Sequence, residues 1–113
     1  MKVNGSCHCG AVKYEAELDA KAVGLCHCTD CQTLSASAFR SIGVVQSGDF
    51  RLLSGTPKIY VKTGDSGNKR RQAFCENCGS AIYASSAGDD PKTYNIRVGT
   101  VRQRDRLPPM FQV

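Results

Sequence analysis

The sequence of 113 residues has no tryptophan and only eight aromatic residues, four Tyr and four Phe. It also has no apolar run long enough to cross a membrane, and residues 1–6 include no apolar segment typical of a secretory signal. These absences predict a cytoplasmic protein without a membrane partner, in a compartment that keeps thiols reduced. With 41% hydrophobic residues, a single domain of this length is expected to have a thin apolar core.

Acidic side chains are also in the minority, with 10 Asp and Glu against 15 Lys and Arg and a formal net charge of +5. The excess of positive charge lies mainly in Lys69-Arg70-Arg71 and in Arg97, Arg102, Arg104 and Arg106. Three adjacent basic residues are more often a solvated strand edge than a nucleic-acid-binding stripe. The charge pattern therefore does not favour a nucleic-acid partner.

The apolar residues alternate with polar ones along short segments. Residues 11–18 alternate strictly, which is the period of a half-buried strand. Its apolar face consists of Val12, Tyr14, Ala16 and Leu18. Further candidate strands are residues 22–25, 39–45, 58–62, 70–74, 81–84 and 94–98, and turn signals lie at residues 47–49, 54–57, 64–68 and 87–91. Residues 29–38 lack the alternation and predict one short helical turn. Because all the other candidate segments are strands, the sequence predicts an all-β fold of short antiparallel strands.

Cysteine is the residue that the sequence has in excess, with seven thiols in three groups. These groups are Cys7 and Cys9; Cys26, Cys28 and Cys31; and Cys75 and Cys78. In a reducing compartment, closely spaced cysteines favour metal ligation over disulfides, and the odd number would leave one thiol without a disulfide partner. Structural zinc sites use four ligands, and catalytic zinc sites usually keep three protein ligands and one open position. A four-ligand and a three-ligand site, with two zinc ions per chain, would use every cysteine.

The first and last groups together supply four ligands. Cys75-Glu76-Asn77-Cys78-Gly79 is typical of a zinc knuckle, because a two-residue spacer directs both sulfurs to one point and the glycine can adopt a positive φ. Cys7-His8-Cys9-Gly10 supplies two more thiols before another glycine. This pairing predicts a structural zinc on Cys7, Cys9, Cys75 and Cys78. Such a metal would join distant parts of the chain and compensate for a thin core.

The middle group, Cys26, Cys28 and Cys31, lies within six residues and can reach a single metal ion. Its fourth position is open unless another side chain fills it, and the candidates are His27, His8 and Asp30. None of them is favoured, since the ring of His27 lies between two ligands and is expected to point away. The sequence thus predicts a catalytic zinc on these three cysteines. A purely structural role for both metals and redox sensing by the three thiols are the alternatives.

Three thiolates would give a zinc site a net negative charge, whereas three neutral histidines leave it positive. The negative charge lowers the Lewis acidity of the metal and makes activation of water for hydrolysis less natural. A substrate thiol, by contrast, suits the open position and remains nucleophilic as its thiolate. The site therefore favours sulfur chemistry at an electrophilic carbon.

The cysteine-bearing segments resemble those of the glutathione-dependent formaldehyde-activating enzyme (GFA) family. The matching segments are Gly5-Ser6-Cys7-His8-Cys9-Gly10-Ala11-Val12-Lys13-Tyr14, Cys26-His27-Cys28-Thr29-Asp30-Cys31, Phe74-Cys75-Glu76-Asn77-Cys78-Gly79-Ser80 and Val98-Gly99-Thr100. The resemblance implies one GFA-type zinc-binding domain over residues 1–113 with an Mss4-like β-fold, and the same two zinc sites. It also implies a carbon–sulfur lyase whose partners are a small thiol and an aldehyde, with glutathione adding to formaldehyde to give S-hydroxymethylglutathione.

Two further hypotheses concern the basic residues. Arg40, Arg70 and Arg71 are candidates to pair with the carboxylates of glutathione, although exposed arginine is the default. In the rival class of function, the protein is a non-catalytic zinc scaffold. Its basic face, Lys69 to Arg71 and the arginines from Arg97 to Arg106, would then recruit an acidic partner. A pocket beside the middle cysteine group would favour the enzyme, and a fourth protein ligand there would favour the scaffold.

Overall fold

The computed structural model describes residues 1–64 and 66–113, so Asp65, in the predicted turn 64–68, lies outside the described residues. The described chain forms ten short strands and one α-helix. The strands are β1 (Lys2–Ser6), β2 (Lys13–Glu17), β3 (Val23–Cys26), β4 (Arg40–Gln46), β5 (Phe50–Ser54), β6 (Lys58–Thr63), β7 (Lys69–Phe74), β8 (Ala81–Ser86), β9 (Thr93–Arg97) and β10 (Phe111–Gln112). The helix α1 (Thr29–Ser35) lies between β3 and β4. The predicted all-β fold is confirmed.

The strands form two sheets. The smaller has the order β1-β2-β5, and the larger has the order β10-β3-β4-β9-β8-β7-β6. Neighbouring strands are antiparallel except at one edge, where β10 pairs with β3 in parallel and aligns Phe111 with Gly24. This pair differs from the expectation of antiparallel strands. The connection from β9 contains two single-turn 3-10 helices, Val98–Thr100 and Arg104–Arg106, and it returns the chain to the free edge of β3.

The predicted strands agree well with those of the structure. All seven predicted strand segments overlap observed strands, and the apolar face expected for residues 11–18 is buried. The predicted helical turn is the seven-residue helix α1. Three strands, β1, β5 and β10, were not predicted. No helix in the part of the chain that the structure describes has the length and apolar character needed to span a membrane.

The core lies between the two sheets and is built mainly from medium-sized and small side chains. Its largest fully buried members are Tyr14, Leu18, Ile82 and Ile96. Around them lie several Val, Ala and Cys side chains, in agreement with the thin core expected from the composition. Phe50 of the smaller sheet joins the two layers. Its ring centroid lies 5.3 Å from that of Tyr14 and 4.7 Å from that of Tyr94, which belongs to β9 of the larger sheet.

The basic run Lys69-Arg70-Arg71 does not lie on a sheet edge as expected. It belongs to β7, which pairs with β6 on one side and β8 on the other. Arg70 is half-buried, and Arg97 is only 6% exposed. An interior strand contributes its backbone to two neighbours and directs alternate side chains inward, so part of the basic character faces the interior of the fold. The basic face of the scaffold hypothesis therefore loses Arg97 and part of Lys69-Arg70-Arg71.

Gly5 of β1 gives the first prediction, a test of the contact between β1 and β2. It lies opposite Tyr14, whose buried ring covers the position where a Cβ atom would stand. The Tyr14 hydroxyl donates to Thr100 Oγ1 at 2.8 Å, which fixes the ring. We expect Gly5→Ala to lower the free energy of unfolding by about 2–3 kcal/mol, since overpacking forces the ring or the strand to move. Chemical denaturation measures this change.

Gly48→Ala is the matched control for Gly5→Ala. A Cβ atom at Gly48 would stand in open space, and the backbone there has no positive φ. Its effect on stability should stay within about 0.5 kcal/mol, the range of ordinary surface substitutions. Equal stabilities of the two variants would show that the Tyr14 ring does not constrain β1.

Candidate metal centres

Four cysteines meet where the turn after β1 approaches the turn between β7 and β8. The Sγ atoms of Cys7, Cys9, Cys75 and Cys78 all lie within 4.8 Å of one another. The Cys7 and Cys9 sulfurs are 3.6 Å apart, and those of Cys9 and Cys75 are 3.8 Å apart although the two residues are separated by 66 positions. These are the four thiols that the sequence analysis grouped together. We call them the four-cysteine cluster.

Two turns of similar construction present these sulfurs. Gly10 has a φ of +86° and donates its N–H to the Cys7 carbonyl at 3.2 Å. Gly79 has a φ of +80° and donates its N–H to the Cys75 carbonyl at 2.7 Å. Both glycines adopt a conformation that side chains disfavour, as the sequence analysis expected for Gly79. The Val12 N–H donates to Cys7 Sγ at 3.2 Å, so the first turn also stabilises a thiolate.

Hydrogen-bond donors favour the charged form of two thiols in this cluster. The Ser80 hydroxyl, 3.3 Å from Cys78 Sγ, and then backbone N–H groups lower the pKa of Cys78 to about 5. The side chain of Asn77 has the largest effect in lowering the pKa of Cys9. Ser80 Oγ also accepts a hydrogen bond from the backbone N–H of His8 at 3.0 Å, and this bond joins the two turns. The sequence did not indicate this role of Ser80. Thiolates are the metal-binding form of cysteine, and four converging sulfurs fit a tetrahedral ion such as zinc.

The second centre, the three-cysteine cluster, lies at the start of the helix. Cys26 ends β3, Cys28 is the N-cap of α1 and Cys31 lies in its first turn. Their Sγ atoms all lie within 4.8 Å of one another. The Cys31 N–H donates to Cys28 Sγ at 3.3 Å, and this backbone donor is the main cause of the lowered pKa of Cys28. Burial raises the pKa of Cys31 to about 11, so its thiolate depends on nearby positive charge.

The other candidate ligands face elsewhere. His27 Nε2 lies 2.9 Å from the Gln112 side-chain oxygen, and Asp30 accepts from Lys62 Nζ at 2.7 Å. This ion pair lowers the pKa of the Asp30 carboxyl. His8 is exposed and is not part of either cluster. Among residues 1–64 and 66–113, no His, Asp or Glu side chain completes the three-cysteine cluster. It therefore offers three sulfurs, whereas the first cluster offers four.

A small cavity adjoins the three-cysteine cluster. It has a volume of about 150 Å³, and Cys26 and Cys31 form part of its wall. Four cationic side chains also line it: Arg40, Lys62, Arg70 and Arg97. Arg40 is the partner of Cys26 in the pairing of β4 with β3. Burial, followed by the positive charge of Arg40, lowers the pKa of Arg97 to about 9. The thiols therefore face a cationic cavity, which we call the arginine cavity.

Only part of this cavity was predicted from the sequence. Of the three arginines considered as carboxylate partners, Arg40 and Arg70 line it, whereas Arg71 does not. Arg97 and Lys62 were missed as site residues. No local signal marked Arg97, since Asn95 and Arg97 alternate with Tyr94, Ile96 and Val98, and such alternation predicts that Arg97 faces solvent.

The fold and its two clusters define a class of protein: a small all-β protein with one four-thiol and one three-thiol centre able to hold metal ions. The chain belongs to the glutathione-dependent formaldehyde-activating enzyme family, whose model matches residues 2–113. The resemblance drawn from the cysteine segments is therefore confirmed.

Individual proteins are also similar to this chain. A Schizosaccharomyces pombe protein named as an uncharacterized lyase is 27% identical over 92 residues, covering 80% of this chain. The chain spans 64% of the length of that relative. The crystal structure of a Rhodobacter sphaeroides protein aligns with a TM-score of 0.73 and 22% identity, covering 97% of this chain and 99% of the other. The similarity to this second protein is one of fold.

Proposed function

We propose that this protein is a zinc-dependent carbon–sulfur lyase that joins a small thiol resembling glutathione to formaldehyde or another small aldehyde, and catalyses the reverse cleavage. One observation carries the proposal: Cys26 and Cys31 line a cavity, and the cluster they form with Cys28 supplies three ligands rather than four. Three protein ligands and an open position are typical of catalytic zinc. Membership of the family and the name of the yeast relative support the same reaction class.

In this proposal residues 1–113 act as one domain with two zinc ions, in a reducing compartment such as the cytoplasm. The four-cysteine cluster, Cys7, Cys9, Cys75 and Cys78, holds the structural ion, because its sulfurs join segments far apart in sequence. The three-cysteine cluster, Cys26, Cys28 and Cys31, holds the catalytic ion. Zinc held by these three thiolates would supply a soft position that suits a substrate thiol in its nucleophilic thiolate form.

The residues around the three-cysteine cluster assist this chemistry through their charge. The guanidinium of Arg40 lies beside Cys31 and favours its thiolate. The positive charges of the arginine cavity also favour the ionised form of a substrate thiol that enters it. The substrate sulfur then attacks the aldehyde carbon, so that a C–S bond forms while the C=O π bond opens. The thiol proton passes to water, and the resulting alkoxide takes a proton from water.

Exchange spectroscopy tests the proposal directly. Glutathione and formaldehyde interconvert with S-hydroxymethylglutathione, and NMR exchange measurements give the rate in both directions. We expect zinc-loaded protein to raise this rate above that of the uncatalysed addition. The control is the Cys28→Ser protein, which keeps the four-cysteine cluster and is expected to lose only the second metal ion. Equal rates with the zinc-loaded wild type and this variant would contradict the proposed function.

A further inference from the structure

A cavity that takes no part in the proposed reaction lies beside the four-cysteine cluster. It has a volume of about 800 Å³, which is within the usual range for small-molecule sites in proteins. Its wall includes Ser6 of β1, Ser80, and Gly99 and Thr100 of the first 3-10 helix after β9. It shares no lining residue with the arginine cavity. A ligand bound here would therefore not touch the three-cysteine cluster.

Three cationic side chains line this cavity without an acidic partner. They are Lys13 of β2, and Arg102 and Arg104 of the connection between β9 and β10. No Asp or Glu of the described residues belongs to the wall, and Asp105 lies outside it although it follows Arg104 in sequence. In the described part of the sequence, none of the three cations forms an ion pair. A concave surface with charge of one sign attracts anions, and we call this surface the basic groove.

The backbone of the basic groove is held in place by contacts between β1 and the segment after β9. The Arg102 N–H donates to the Asn4 carbonyl at 2.7 Å, and the Asn4 N–H donates to Gln103 Oε1 at 3.0 Å. Gly5 and Val101 form an antiparallel β-bridge between the same two segments. Because these bonds order the backbone before any ligand binds, only side chains must be ordered on binding, which lowers its cost.

The other side chains of the basic groove indicate what kind of anion fits it. They contribute the hydroxyl groups of Ser6, Ser80 and Thr100 and the amide of Asn4. Apart from the imidazole of His8, no aromatic and no aliphatic side chain of the described residues lines it. Single-stranded nucleic acids bind on stacking aromatic platforms, and protein partners bind through buried apolar or aromatic anchors. The lining therefore favours a small polar ligand over both classes of macromolecule.

The number of cations favours a phosphate ester over a carboxylate. A phosphate ester has a charge of about −1.5 to −2 at neutral pH, and it offers three acceptor oxygens. A carboxylate would offset only one of the three positive charges. Arginine donates two parallel hydrogen bonds to a phosphoryl group, and lysine adds a point charge.

We propose that the basic groove binds a small, hydroxyl-bearing phosphate ester, with Lys13, Arg102 and Arg104 holding the phosphoryl group. The hydroxyl and amide groups of the wall then contact the uncharged part of the ligand. This second binding site is independent of the lyase reaction proposed above, because the two sites have no residue in common.

Binding of three small probes to the zinc-loaded protein tests the proposal. Calorimetry compares ribose 5-phosphate with ribose, which lacks the phosphoryl group, and with succinate, a dianion without one. We expect ribose 5-phosphate to bind at least about tenfold more tightly than ribose, and more tightly than succinate. Equal affinities for ribose 5-phosphate and ribose would overturn the proposal. Succinate binding as tightly as ribose 5-phosphate would overturn the choice of a phosphate ester.

Backbone NMR shifts during the same titration show where the phosphate ester binds. The amide signals of Ser6, Gly99 and Arg102 should move with ribose 5-phosphate. Shifts confined to Cys31 and Arg40 would assign the binding to the arginine cavity and overturn the proposal. A single-stranded oligoribonucleotide that moves the groove signals and binds more tightly than ribose 5-phosphate would overturn the choice of a small ligand.

Two charge variants and a matched control show which residues are responsible. Arg102→Gln and Lys13→Gln change exposed side chains, and each should weaken the binding of ribose 5-phosphate by about tenfold. Arg106→Gln removes the same charge at an exposed position outside the groove and should keep the wild-type affinity. An equal loss in Arg106→Gln would show that only the net charge of the protein attracts the ligand, and would overturn the proposal.

Gly99→Leu tests the shape of the groove without changing its charge. Gly99 lines the groove, and a Cβ atom there would meet no atom within 4 Å, so the added side chain has room to extend without disturbing the fold. We expect this variant to weaken the binding of ribose 5-phosphate by at least about tenfold, with an unchanged melting temperature. Unchanged affinity in this variant would show that the ligand does not enter the groove.

Discussion

Replacing Cys78 by Ser is expected to unfold the protein, whereas replacing Cys28 by Ser should leave it folded. Cys78 belongs to the four-cysteine cluster, in which Cys9 and Cys75 meet across 66 positions of the chain. A metal bound there contributes its binding free energy directly to folding. That contribution is comparable with the whole stability of a small domain, about 5–15 kcal/mol, so its loss removes the folded state.

A metal ligated by Cys28 is expected to contribute much less to the stability of the fold. It is exposed at the N-terminus of α1, and its two fellow ligands lie within five positions of it in sequence. A metal at that site closes only a short loop, which stabilises the fold little. The Cys28→Ser protein should therefore bind one equivalent of zinc instead of two and retain a cooperative unfolding transition.

Metal analysis and thermal unfolding followed by circular dichroism check both variants. The half-buried position of Cys78 limits any effect on core packing, so the comparison reports mainly on the metal. Addition of a chelator to the wild-type protein should reproduce the Cys78→Ser result. Equal destabilisation by the two substitutions would contradict the division into a structural and a catalytic site.

Replacing Cys31 by Ser is expected to reduce the exchange of glutathione with formaldehyde to the rate seen without protein. Cys31 is the buried member of the three-cysteine cluster, and it lines the arginine cavity with Cys26. A serine hydroxyl is a poor ligand for zinc because it stays protonated at neutral pH, so the variant should lose the second metal ion. The measurement is NMR exchange, together with the zinc content and the melting temperature.

His27→Ala is the matched control for Cys31→Ser. His27 lies between two cysteines in sequence, but its ring lies against the Gln112 side chain, with Nε2 2.9 Å from the amide oxygen. The variant should keep both metal ions and the exchange rate of the wild type. A loss of rate as large as that of Cys31→Ser, without loss of zinc, would assign the catalytic effect to the histidine instead of the metal site.

The strands and turns that depend on local sequence could be predicted. The alternation over residues 11–18 predicted β2, because one face of that strand is buried against the core. The grouping of the cysteines was predictable because thiols spaced by one or two residues converge within a single turn. The glycine after Cys78 marked the positive φ that the turn at Gly79 adopts.

Features that depend on distant segments were missed. β1 contains Asn4 and Gly5 and has little intrinsic preference for a strand, yet it pairs with β2 along its whole length. β10 has only two residues and is held by backbone hydrogen bonds to β3, which leave no side-chain pattern. The arginine cavity combines Arg40 of β4, Arg70 of β7 and Arg97 of β9. No local pattern shows that these three strands direct cations to one point.

With the structural ion proposed above, the four-cysteine cluster would make the population of folded chains depend on the concentration of free metal. Its ligands come together only when β1 and the turn between β7 and β8 are in place, so the intact cluster exists in the folded chain alone. By mass action, a tenfold rise in free metal above the dissociation constant then adds about 1.4 kcal/mol to stability. A tenfold fall in free metal lowers the stability by the same amount. Because the core of this domain is thin, the dependence sets the lowest metal concentration at which the protein stays folded.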